Sequence, residues 1–226
     1  MFPDDSEFSQ IEARLRTILK QSDRAIGALE RAWKSNPRGT SVAVRLANAY
    51  SDRGEEDRGL GVLHEALARD PDDKMAHLAI AKRLIMSNSQ DDETIEAHLS
   101  RGFSKTDHNF DARFHYAQFL FYLRRGADAA SAFQDLDRAA PSGFMSEAKK
   151  DGSVVSQRIG RINGRVVRRE ATYLFVHTSI YPRDIYASER FTSPEFWEQM
   201  VVGTFVTFAT TFNRQGPVAI NLRPDS

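Results

Sequence analysis

The chain has 226 residues, 41% of them hydrophobic and 27% charged, with 31 basic against 31 acidic side chains and no cysteine. That composition is ordinary for folded domains and excludes a disulfide framework, a thiolate zinc site and a general electrostatic pull on polyanions. No run reaches the ~18 consecutive apolar residues of a membrane span. The opening MFPDDSEFSQ carries acids where a signal peptide would carry a basic flank, so no membrane partner and a reducing, cytoplasmic setting are expected.

From the N-terminus the first signal is a period. Pro37, Pro71 and Pro141 are spaced by one and about two units of ~34 residues, with the missing member near Asp107. The same helical phrase precedes each proline: Ala25, Leu29, Ala32; Gly59, Leu63, Ala66; Ala129, Phe133, Leu136. The small residue admits a neighbouring helix, the larger one fills the gap, and proline, lacking an N–H, stops the helix. A second phrase, Leu46, Ala47, Tyr50, recurs as Ile80, Ala81, Leu84 and as Tyr116, Ala117, Leu120. The acid runs Glu55, Glu56, Asp57 and Asp91, Asp92, Glu93 stand where second helices begin. Capping and the helix dipole account for them there.

This pattern resembles the tetratricopeptide repeat over about residues 6 to 143, with departures at Arg16, at Gly59 and in an apparent insertion around Met86 to Asp92. The resemblance implies a solenoid of about four hairpins, the first degenerate, that holds a peptide or protein partner on its first helices. Carried over by position, the groove residues are Arg14, Asn48, Lys82 and Gln118; a lysine and asparagine clamp for a C-terminal carboxylate is not matched. In the fourth unit, FDARFHYAQFLFYLRRG is apolar on every side. Such a helix is buried on more than one face as a junction, or else it offers Phe114, Phe121 and Tyr122 to the groove.

Past Pro141 the helical period stops. The expected organisation is a repeat domain over 1–143, a polar linker over 144–156 and a β domain over 157–226: α and β in separate domains. Strands are expected at Gly160 to Arg169, Thr172 to Thr178, Arg183 to Glu189, Gly203 to Phe212 and Val218 to Leu222, the count of a partly open Greek-key barrel. Between the third and fourth, Ser193 can cap a short helix with Pro194 in its first position. Alternation turns Tyr173, Phe175 and His177 to one side and Leu174 and Val176 to the other. Tyr186 on the next strand would add a ring. Arg158, Arg161, Arg165, Arg168 and Arg169 follow one another with no acid between the first and last, either as a solvated strand edge or as a positive flank. Arg165 with Arg168 or Arg169 would supply that flank, and a bulge decides which.

These segments resemble the cold-shock family of OB-like barrels: GRVVRR from Gly164, TYLFV from Thr172, DIYAS from Asp184, and the closing NRQGPVAINLRP with Asn213, Arg214, Gly216 and Pro217. The resemblance implies single-stranded RNA or DNA binding through Arg165, Arg168, Arg169, Tyr173, Phe175, His177, Tyr186 and Arg214; RNA is the ligand expected first, and no motif announces the 2′-hydroxyl contacts that would tell the two apart. The chain departs from it at Leu174, Ser188 and Glu189. No phosphate-cradling loop, nucleophile elbow or H-E-x-x-H helix is present, and His64, His77, His98, His108, His115 and His177 are dispersed. The expectation is a non-catalytic adaptor without metal or cofactor. The alternative is a pure protein-interaction scaffold, either by itself or as the C-terminal part of a larger protein.

Overall fold

A computed structural model describes residues 22–104, 106–145 and 154–225. The chain divides into two compact units, one ending at Ser104 and the other starting at Lys105.

The first unit comprises α1 (Ser22–Ser35), α2 (Thr40–Ser51), α3 (Glu56–Arg69), α4 (Lys74–Met86) and α5 (Asp92–Arg101). Its core is the repeated phrase made physical. Ala28, Ala32, Ala43, Ala47, Ala76 and Leu63 are fully buried, and Leu29, Leu46 and Ile80 nearly so, so that small residues set the helix approach and Leu and Ile fill it. Gly59, a departure from the repeat pattern, has a reason: a methyl there would stand 3.0 Å from the Ala47 carbonyl oxygen. The acids at the helix starts divide in role. Asp91 accepts from the Thr94 amide at 3.0 Å, and hydrogen bonds from the Thr94 side chain and then from that amide hold its carboxyl below the usual range. Asp73 caps α4 in the same way through Ala76. Glu55 occupies the cap position of α3 without a capping bond and pairs instead with Arg58.

The second unit contains α6 (Phe110–Tyr122), α7 (Gly126–Ala139), α8 (Val154–Ile159), α9 (Pro194–Gln199) and strands β1 (Ile162–Arg169), β2 (Tyr173–His177), β3 (Ile185–Ser188), β4 (Phe205–Asn213) and β5 (Gly216–Pro224). The strands close a barrel in the order β1-β2-β3-β5-β4, antiparallel except between β3 and β5. Val166, Leu174, Val176, Val206, Phe208 and Leu222 fill its interior, as period-2 alternation requires. Ser193 stands at the N-cap of α9 with Pro194 in the first turn, but its hydroxyl makes no capping bond. The stretch read as the end of a linker and the approach to a strand is helical at Val154–Ile159. Its Val155 and Ile159 are buried, a stripe of i and i+4 too short for a helical period to declare itself.

The fourth hairpin, grouped with the repeats by its period, belongs to the same compact unit as the barrel. Phe121 meets Tyr181 at 5.5 Å and Phe212 at 5.6 Å between ring centroids, and Phe133 stacks on Phe212 at 5.8 Å. Gly126 permits this approach, because a methyl there would overlap the Ile180 carbonyl oxygen and lie 3.1 Å from the Tyr181 Cα. Among the described residues no helix is long and apolar enough to cross a membrane.

Candidate nucleic-acid interface

The site begins with a register shift in β1. Val166 pairs with Val176, but the next partner of β2, Phe175, faces Arg168. One extra residue, Val167, is thus accommodated in a bulge, which rotates the following side chains by one place. Arg168 comes to the outer face with its guanidinium 5.6 Å from the Phe175 ring. Arg169 pairs with Leu174 and turns to the barrel end, where it donates to the carbonyls of Trp197 and Met200, both at 2.8 Å, and covers the Trp197 ring at 4.8 Å. Arg169 therefore closes the C-terminus of α9 and does not flank the rings, contrary to its inclusion among the nucleic-acid residues.

Three rings form one cluster. Tyr173 lies 5.9 Å from Phe175 and 5.9 Å from Tyr186, and Phe175 lies 6.0 Å from Tyr186. Tyr173 and Phe175 are half-buried by one another, and Tyr186, directly opposite Phe175 in register, is 39% exposed. Arg168 donates to Glu170 at 2.9 Å, a bond that raises its already high pKa and offsets part of its charge. His177, exposed at the end of β2, shares a hydrogen bond with Asp184 at 3.1 Å.

A cleft of about 550 Å3 adjoins the cluster, lined by Phe175, Tyr186, Arg183, Asn213 and Gly216 among others, with Tyr181 in its wall. The Tyr181 hydroxyl is buried, finds no hydrogen-bond partner among the described residues, and titrates above its ordinary value because burial disfavours the phenolate. Gly216, at φ 140°, leaves room for it: a methyl there would lie 2.9 Å from that oxygen.

The other expected positions scatter. Arg214 pairs with Asp137 at 2.8 Å and donates to the Pro141 carbonyl at 3.0 Å; it ties the β4–β5 turn to α7 and is not part of the ring cluster. Arg14 lies outside the described residues. Asn48 is exposed on α2 and accepts from Arg83 at 2.7 Å, and Lys82 is half-buried on α4. Phe114, Gln118 and Phe121 are buried and so do not line an open groove. Phe114 packs edge-on to Phe133 at 6.2 Å, and Phe121 is only 1% exposed beneath the barrel rings. Tyr122 is covered by the Arg158 guanidinium, 5.0 Å from its ring.

Two features escaped sequence reasoning. Phe205 is 62% exposed beside Arg165, whose guanidinium is 5.7 Å from its ring; the only sequence signal was its phase against Val206 and Phe208. His77 and His98, 21 positions apart, meet with their Nδ1 atoms 2.8 Å apart. His77 Nε2 lies 2.9 Å from the Pro71 carbonyl, which can only accept, so in the neutral pair His98 Nδ1–H donates to His77 Nδ1. Burial, and secondarily the nearby His77, His64 and Arg101, push His98 down to about 4. Among the described residues no group of three or more His, Asp or Glu side chains can hold a metal ion.

Residues 18–83 match the tetratricopeptide repeat model. The crystal structure of MamA protein is similar at 16% identity and a TM-score of 0.51, over 70% of this chain and 81% of that one. The C-terminal part of a TPR repeat-containing protein from Cytophaga hutchinsonii is similar at 13% identity and a TM-score of 0.50, over 62% and 55%. An O-GlcNAc transferase mutant from Thermobaculum terrenum is similar at 16% identity and a TM-score of 0.50, over 61% of this chain and 27% of its own. No curated protein sequence matches. At these identities the likeness is one of fold. The hairpins are tetratricopeptide-like, and the closed five-stranded barrel that follows is consistent with an OB-like domain.

Proposed function

We propose that the chain is a non-catalytic adaptor whose barrel binds single-stranded nucleic acid, with RNA the first ligand to test, and whose helical repeats hold a protein partner. The observation that carries this reading is the cluster of half-buried Tyr173 and Phe175 with exposed Tyr186 on the outer face of β2 and β3, with the Arg168 guanidinium 5.6 Å from the Phe175 ring. Each base stacked on such a ring is worth about 1–3 kcal/mol whatever its identity, and an adjoining arginine follows the phosphates. Tetratricopeptide repeats are protein-interaction modules, and Asn48 and Lys82 on successive first helices are the positions offered for contact. The lack of cysteine suits a reducing compartment such as the cytoplasm.

A protein-only scaffold is the second reading. It is favoured by the ion pair of Arg168 with Glu170 at 2.9 Å, which lowers the net positive charge beside the rings. The two separate in a titration of a fluorescein-labelled, unstructured 12-nucleotide RNA followed by anisotropy over a salt series. Binding that weakens with salt, by a slope of about −0.7 per phosphate contacted, is expected. The double substitution Tyr173→Ala with Phe175→Ala should weaken it at least ~30-fold, two stacked bases at the low end of their range. Affinity unchanged in the double variant rules out the platform.

A further inference from the structure

The outer face of the barrel continues beyond the three rings. Val206 and Phe208 are fully buried, so alternation turns Phe205 outward. Phe205 is the register partner of Arg165 across β4 and β1, and Arg165 is the partner of His177 across β1 and β2. A row of three exposed side chains thus runs over three adjacent strands and meets Phe175 two residues along β2. Both ends of this path repeat one arrangement, an outward-facing ring with a guanidinium within 5.7 Å of it: Arg168 at the half-buried Phe175 and Arg165 at the exposed Phe205.

The Phe205 end is held in place. The Gly203 amide donates to the Val166 carbonyl at 2.8 Å and the Val166 amide to the Thr204 carbonyl at 2.9 Å. Gly203 itself takes φ 98°, a conformation that side chains resist. The backbone that presents Phe205 is therefore fixed in advance of any ligand. Two strands at ~4.8 Å and two residues at ~3.3 Å separate Phe175 from Phe205 by about 12 Å. About four stacked nucleotides at ~3.4 Å span that distance, and fewer when extended.

We infer that Phe205 is a second stacking station, which takes one base of the same single strand whose phosphates pass Arg165. The inference rests on the nucleic-acid reading of the barrel and extends its footprint from β2–β3 across β1 to β4. An apolar protein surface fits this face less well. Docked on Phe205, Val201 and Val202, it would bury the Arg165 charge without an anion to pair it, whereas a strand brings a phosphate to the guanidinium and a base to the ring.

The test uses the full chain, fluorescein-labelled oligouridylates of 2 and 10 nucleotides, and anisotropy. Phe205→Ala should weaken the 10-mer by about 5- to 150-fold, the worth of one stacked base, and leave the 2-mer, too short to reach from the Tyr173 cluster to Phe205, within about twofold. Phe205→Leu, apolar without a ring face, should behave as Phe205→Ala, and Phe205→Trp should restore wild-type binding. The exposure of Phe205 means that melting temperature should not move in any of the three, which separates loss of contact from loss of fold. A 10-mer bound equally by wild type and Phe205→Ala, or full affinity in Phe205→Leu, overturns the second station while the first stands. Failure of the wild type to bind either length removes both.

Discussion

Acid should weaken the helical unit through His98, and the amount can be worked from its surroundings. Folded His98 takes up a proton only near pH 4, against an ordinary value of 6.5. Between those values the unfolded chain binds more protons than the folded one, so stability is fully present above about pH 6.5 and drains away as pH falls toward 4. The gap is worth about 3 kcal/mol at ~1.4 kcal/mol per pH unit. Because the imidazole is only half-buried, solvent screening reduces this to about 1–2 kcal/mol. His98→Asn supplies the perturbation, since its amide can replace the Nδ1–H donor to His77 without titrating. Urea unfolding followed by Trp33 fluorescence, in a Trp197→Phe background common to both chains, reports the helical unit alone. Between pH 7 and pH 4 the chain with His98 should lose about 1–2 kcal/mol more than the Asn variant, with carboxylate titrations cancelling in the difference. Parallel profiles, within ~0.5 kcal/mol, would refute the assignment of acid sensitivity to this pair.

Two further outcomes concern the second unit. Gly126→Ala should destabilise it by about 1–3 kcal/mol, the usual cost of overpacking, because the methyl overlaps the Ile180 carbonyl; calorimetric melting checks this, and an unchanged transition would mean that α7 does not need its close approach. Tyr181→Phe removes a buried hydroxyl that has no partner among the described residues. It should be neutral or stabilising by up to ~1 kcal/mol, and a clear drop in melting temperature would contradict the unpaired state of that oxygen.

Much of the architecture was legible because it is written in repeated local chemistry. Ala32, Ala66 and Leu136 ahead of their prolines give the hairpin period, and Leu174 and Val176 against Tyr173 and Phe175 give strand and face. The limits of the reading are equally physical. Whether Arg168 or Arg169 joins the rings depends on the bulge at Val167, and the composition of GRVVRR is the same with or without it. Phe121 and Phe114 carry the same side chain in a groove as in a junction; only Phe212 and Tyr181, distant in sequence, decide that they are covered. Phe205 sits where a strand begins, so its outward phase rests on Val206 and Phe208, whose place in the barrel interior the structure shows. The meeting of His77 and His98 depends on how α4 and α5 pack, which no spacing between them announces.

The aromatic seam of Phe121, Phe133, Phe212 and Tyr181 has a consequence for how such a chain can change over time. A barrel whose underside is finished by rings from a helical hairpin is not a self-contained cassette. Transplanted alone it would carry an oily sole into water, and the hairpin left behind would lose its lid. Recombination that moves the barrel intact must carry α6 and α7 with it, so the unit of inheritance straddles the line between the helical and the β sequence pattern.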